Sequence, residues 1–179
     1  MKKYRIHVLA MAAIVGGCII MAAAKQNSPK ADFSRTTIDL GVVVSDVEKS
    51  AKFYTEAIGF RETGGFDVSA QMAGDTGLTD NHPFKVRVFA LGNEPTATIL
   101  KIMTIPGANS KKVDSQYIGS SLGFRYLTIN VADLTKTMER LKQHGVAPVK
   151  EPYRLSGNSY LILVKDPDGN IVELIGPKQ

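Results

Sequence analysis

A chain of 179 residues, 44% hydrophobic and 22% charged, has the length and balance of one globular domain or two small modules, and excludes a disordered or fibrous protein. Its formal charge of +5 is scattered. Beyond the first few residues Lys111 and Lys112 are the one adjacent basic pair, so the chain lacks the electrostatic footprint of a nucleic-acid binder.

Residues 1–24 read as a secretory signal peptide. Lys2, Lys3 and Arg5 precede an uncharged run from Val8 to Ala24 that ends in Ala22-Ala23-Ala24, the small-x-small pattern of a cleavage site. The apolar stretch is short for a membrane span. Cleavage there predicts a secreted or periplasmic chain starting near Lys25, and loss of the three cations lowers the formal charge from +5 to +2. The alternative is a lipoprotein anchored to the membrane at Cys18, after Val15-Gly16-Gly17. Cys18 is the only cysteine, so a chain cut after Ala24 has neither a disulfide nor a thiol nucleophile. Residues 25–35 are a polar leader without period.

Folding is expected to start at residue 36. Residues 36–44 read as a β-branched strand, and Ser45-Asp46-Val47-Glu48 offers an N-cap and a Ser-x-x-Glu capping box. A helix then runs to Ile58, is closed by Gly59, and presents Val47, Ala51, Tyr54 and Ile58 to a sheet. Strands follow at 60–68, 84–91 and 96–105, with residues 69–83 a long polar loop of the kind that covers sites. This first module spans 36–106, and 107–122 are a linker. The second module, 123–177, repeats the order: a strand at 124–131, a helix at 134–144 capped by Asp133 and ended by Gly145, and strands at 149–155, 160–165 and 171–175. Asp166-Pro167-Asp168-Gly169-Asn170 turns the last hairpin. Placing Asp46 on Asp133 also matches Leu40 with Leu127, Val44 with Val131 and Lys49 with Lys136, and each half needs the other to bury its sheet.

Two motifs have plain readings. Gly119-Ser-Ser121-Leu-Gly123 has the Gly-x-Ser-x-Gly form of serine hydrolases but lacks the preceding strand and following helix, so it reads as a turn. His144 falls in a last helical turn, where a cation suits the helix dipole.

The run Gly41-Val-Val-Val-Ser-Asp46, the helix end Phe53-Tyr54-x-x-x-Ile58-Gly59-Phe60, and Asp166-Pro-Asp-Gly-Asn-Ile-Val-Glu-Leu174 together resemble the vicinal oxygen chelate (VOC) superfamily of glyoxalases, bleomycin-resistance proteins and extradiol dioxygenases. The resemblance covers residues 36–177. It implies an α+β fold of two βαβββ modules whose curled mixed sheets pair, with a homodimer possible. It also implies a small-molecule ligand and, in the metal-binding members, ligands on the first and last strands of the paired modules. The positions that correspond are Asp39, Lys101, Tyr126 and Glu173, of which only Glu173 fits the common ligand pattern.

The strand period supports that facing. Ile38, Leu40, Val42 and Val44 form one apolar face, which turns Asp39 the other way; Leu127, Ile129 and Val131 do the same for Phe124 and Tyr126. An ammonium offers no lone pair to a metal, so Lys101 reads as a counter-cation for Asp39 and Glu173. No cofactor is assigned, with a divalent metal held by Asp39, Glu173 and a partner such as His82 as the alternative. The expectation is a small-molecule binder whose cup is lined by Phe124, Tyr126 and Tyr153, with Lys101 and Arg87 facing an anionic or polar ligand and His82 leaning over it. The alternative is a metal-dependent glyoxalase-like lyase or dioxygenase-like enzyme.

Overall fold

Strand β1 (Asp39–Val43) pairs in parallel with β4 (Thr98–Met103), which lies antiparallel to β3 (Phe84–Leu91), itself antiparallel to β2 (Arg61–Val68). The structure, a computed structural model, describes residues 32–179, so the expected signal peptide and the expected leader through residue 31 lie outside the described residues. The second half repeats the order. Strand β5 (Tyr126–Asn130) pairs in parallel with β8 (Ile171–Pro177), then β7 (Ser159–Lys165) and β6 (Tyr153–Arg154) follow antiparallel. The result is the expected α+β architecture of two four-stranded mixed sheets, ordered β1-β4-β3-β2 and β5-β8-β7-β6 and not closed into a barrel. The internal repeat extends to the register: Gly41 lies beside Lys101 on β4, and Thr128 beside Glu173 on β8.

The first helix departs from the sequence reading at both ends. Its N-cap is Asp46, whose carboxylate accepts from Lys49 N at 3.0 Å, and no capping box forms. Ser45 instead gives its N–H to Asp168 at 2.8 Å, and Glu48 is drawn to Arg87. Helix α1 (Val47–Lys52) then widens into a π-helical segment, Phe53–Ile58. The Thr55 hydroxyl occupies the Ala51 carbonyl at 2.8 Å, competing with the backbone donor that would continue the α-ladder. Phe53, Tyr54, Ala57 and Ile58 are all buried on this segment. Gly59 closes it at φ 104°, a conformation that side chains with a Cβ resist.

Residues 69–83 are not a structureless loop. Ser69 caps a short helix, α2 (Ala70–Asp75), whose fully buried Ala73 packs with Val68, Phe84 and Val86 on the sheet face turned away from α1. Strand β6 is shorter than the expected 149–155, because Pro148 and Pro152 have no N–H to give the ladder. Helix α3 (Leu134–Gln143) has the expected Asp133 cap.

The helix-facing sides of both sheets share one core. Phe89, Leu100 and Ile102 from the first sheet and Ile162, Val164, Val172 and Leu174 from the second join Tyr54, Leu134 and Leu141. Each such side chain stabilises the fold by roughly 1.5–3 kcal/mol relative to exposure. Arg140 of α3 ties the halves further, donating to the carbonyls of Ala57 at 2.9 Å and Ile58 at 3.0 Å.

Candidate ligand cleft between the edge strands

β1 and β5 are the outer strands of their sheets, so each leaves one backbone edge unpaired. Residues 38–42 and 124–127 line a common cleft, floored by Tyr54 and Leu100 and bounded by Asn170 and Ile171. Its volume of about 450 Å³ lies within the range of small-molecule sites. Its walls are mostly apolar, with Asp39, Arg125, Tyr126 and Asn170 as polar points.

Asp39 carries two cations. Arg35 donates to one carboxylate oxygen at 2.7 Å, and Lys101 Nζ lies 3.1 Å from the other. The Lys101 ammonium, seconded by Arg35, holds the Asp39 carboxyl below the usual carboxylate range despite some desolvation. Tyr126 and Phe124 stand on the opposite wall, Tyr126 half exposed and Phe124 fully so. Glu173 shares the Tyr126 face of the second sheet and accepts from the Thr128 hydroxyl at 2.8 Å. Among the described residues no ion pair links Glu173 to Lys101. The structure therefore joins Asp39 to Lys101 and brings Asp39, Phe124 and Tyr126 to one cleft, while Glu173 keeps to its own sheet.

The other pocket candidates lie elsewhere. Arg87 shares the helix-facing side of the first sheet with Phe89, 5.6 Å from that ring, and is held by Glu62 at 2.7 and 2.8 Å and Glu48 at 2.8 Å. It belongs to an ion-pair cluster under α1 rather than to the cleft. β3 is apolar on both faces, so a period of two does not by itself place Arg87. His82 lies against Gly107, where a Cβ would come within 2.9 Å of its ring nitrogen, and its N–H donates to Thr79. Tyr153 is exposed on the short edge strand β6, on the side of its sheet that also carries Glu173. His144 is the C-cap of α3, 3.1 Å from Glu56. Ser121 donates its hydroxyl to the Asp114 carbonyl within the linker.

Sequence reading missed what ties the cleft floor to the last hairpin. Tyr54, fully buried, donates to Asp166 at 3.1 Å; Asp166 also accepts from Asp168 N, Asn170 N and Asn170 Nδ2 at 2.8–2.9 Å. Burial, and then the neighbouring Asp166 carboxylate, push the Tyr54 phenol far up from its ordinary pKa. Asp168 is pulled in two directions: burial raises its pKa, but the Ser45 donors and Lys112 at 3.6 Å outweigh that and lower it overall. The oxygen facing Lys112 takes no hydrogen bond, so that contact is purely ionic.

A model of the glyoxalase/bleomycin resistance protein/dioxygenase superfamily matches residues 36–174. A probable lactoylglutathione lyase of Vibrio parahaemolyticus is 26% identical over 137 residues, which cover 76% of this chain and 86% of the relative. A glyoxalase family protein from Bacillus cereus shares the fold with a TM-score of 0.70 at 18% identity, covering 85% of this chain and 99% of the other. The trypanothione-dependent glyoxalase I of Leishmania major superposes with a TM-score of 0.56 at 26% identity, covering 80% and 87%.

Proposed function

We propose that this chain, which belongs to the glyoxalase/bleomycin resistance protein/dioxygenase superfamily, is an exported small-molecule binder in which an ammonium has replaced the metal of its metal-binding relatives. One observation carries this reading: Lys101 Nζ lies 3.1 Å from Asp39, so the cation at that carboxylate is the protein's own. The four corresponding positions do not fit a divalent ion. Asp39 and Glu173 are lone carboxylates on separate sheets, Lys101 has no lone pair to give, and Tyr126 carries a phenol. What these residues do is shape a cleft: Tyr54, Leu100 and Leu127 give an apolar floor, Phe124 and Tyr126 one aromatic wall, and Asp39 with its two cations a polar rim.

Calorimetric titration of the purified protein with nickel, zinc and manganese tests the replacement. No binding at micromolar concentration is expected; binding of any of the three at roughly micromolar affinity or tighter sinks it. The second reading is a metal-dependent lyase, favoured by the lactoylglutathione lyase names among the relatives. Its test is lactoylglutathione formation by the metal-supplemented protein, and measurable turnover that a chelator abolishes would establish it in place of the binder.

The charged start, apolar run and Ala22-Ala23-Ala24 support export with cleavage before Lys25. Intact-mass analysis of the natural protein decides between that and a species retaining Met1 or lipidated at Cys18. Exposed Phe66 on the face of the first sheet turned away from α1, and exposed Tyr126 and Tyr153 on the second sheet, support a homodimer. Sedimentation at equilibrium with the mass of one chain at all concentrations would exclude it.

A further inference from the structure

A second cavity, of about 510 Å³, opens where α1, the turn leaving α3 and the end of β7 meet. Its floor is apolar, built from Phe53 and Ala57 of the π-helical segment, Val146 and Val149 after α3, and Pro167 of the last turn. Its rim carries three lysines, Lys49, Lys52 and Lys165. Lys49 and Lys52 make only loose, exposed contacts with Asp46 at 3.4 Å and Glu56 at 3.9 Å, and Lys165 has no ion pair among the described residues.

The negative groups that would oppose an anion there are already occupied. Asp166 is the single carboxylate lining the cavity, and its two oxygens accept four hydrogen bonds from Tyr54, Asp168 and Asn170. Both neighbouring helices end at the cavity, where free carbonyls would repel an anion. Those of Ala57 and Ile58 are taken by Arg140, and those of Arg140, Leu141 and Lys142 by the N–H groups of His144, Gly145 and Val146. Glu56 does not line the cavity and lies 3.9 Å from Lys52 and 3.1 Å from His144. The charged groups that line the cavity are three ammonium groups and the one Asp166 carboxylate, so the balance of the lining is positive around an apolar floor.

We infer that this cavity binds an organic anion with an apolar body, a carboxylate or sulfonate on an aromatic or aliphatic frame. It is separate from the cleft between β1 and β5: the two share no lining residue. The apolar frame covers Phe53 and Val146 while the acid group sits among the lysines of the rim.

The test is an NMR titration of the ¹⁵N-labelled protein with 2-naphthoate, 2-naphthalenemethanol and 2-naphthylmethylamine, three probes of one shape and different charge. The anion should shift the amides of Gly145, Val146 and Ala147, the alcohol should bind at least about tenfold more weakly, and the amine more weakly still. The double variant Lys52→Glu with Lys165→Glu, changing two exposed side chains, should lose about tenfold in naphthoate affinity and keep its urea midpoint. Ala147→Trp, which fills the cavity, should abolish the shifts. Equal affinity for the three probes overturns the inference. So do shifts confined to residues 38–42 and 124–127, wild-type affinity in the charge-reversed variant, or no naphthoate binding up to about 5 mM.

Discussion

Tyr54→Phe isolates one of the contacts that join the two halves of the molecule. The phenylalanine ring keeps the edge-on contacts of Tyr54 with Phe53 and Phe60, at 5.0 and 5.8 Å, so the change removes the hydroxyl and little else. A hydrogen bond to a charged group contributes about 1.5–3 kcal/mol. At 3.1 Å this one is longer than the strongest O–H···O⁻ bonds, which places it at the lower end. Asp166 also keeps three other donors, so no oxygen is left bare. The expected loss is about 1.5 kcal/mol, roughly a tenfold drop in the folding equilibrium constant, or about 5 °C in Tm for a domain of this size. Urea denaturation followed by far-UV circular dichroism measures it, since the chain has no tryptophan to report by fluorescence. A second readout is specific to the hydroxyl. The folded state raises the Tyr54 pKa, so its contribution is complete below about pH 10 and is lost as the unfolded chain ionises above that. The phenylalanine variant should therefore show a shallower alkaline fall in stability. A variant within about 0.3 kcal/mol of wild type at neutral pH, or an effect strictly additive with that of Asp166→Asn, would refute the reasoning.

Ser50→Ala should leave stability unchanged or raise it by up to about 1 kcal/mol, because the Ser50 hydroxyl is fully buried without a hydrogen-bond partner; a loss by the same urea assay would count against this. Lys101→Glu should cost about 1 kcal/mol, after allowance for the partial exposure of the pair, since it sets a second carboxylate against Asp39 and leaves Arg35 as the sole cation; thermal unfolding at low and high salt should show the deficit shrinking as salt rises. The Glu62 carboxyl is held low by Arg87, and Asp39 by Lys101 and Arg35, so their stabilisation is present above about pH 4.5 and is lost as pH falls through their depressed folded values. Arg87→Gln should make the acid transition begin at higher pH, as read by circular dichroism, and an unchanged transition would contradict that assignment.

The fold was legible wherever one local rule acted alone. Asp133 has a single helix to cap, the Asp166 to Asn170 turn can only reverse the chain, and the alternation in β1 and β5 buries Val44 and Ile129 while exposing Gly41 and Tyr126. Where two rules compete the sequence misleads. Ser45 and Asp46 both can cap α1, and the choice falls to Asp46 because Asp168, 123 residues away, claims the Ser45 N–H. Thr55 reads as an ordinary helical residue, yet its hydroxyl redirects the ladder. Helix α2 has one buried side chain, Ala73, so it shows no apolar period; the local signal was Ser69, whose hydroxyl accepts from Met72 N. In the site, the facing of Asp39 follows from the strand period, while Lys101 beside it was reached only through the family resemblance. The position of Arg87 was not legible, because it depends on Glu48 arriving from the helix above it.

The grip of the last hairpin on the first helix also sets an order of events in folding. Tyr54 meets Asp166 across 112 residues and Ser45 meets Asp168 across 123, so neither contact exists until nearly the whole chain has been made. Contacts of such sequence separation close large loops and slow the search for the native state. Until residues 166–170 are made, the Tyr54 hydroxyl lacks the acceptor it has in the complete fold. Final locking of the N-terminal half therefore waits for residues 166–170, and a chain stopped short of them is left with an unsatisfied hydroxyl in the middle of its core.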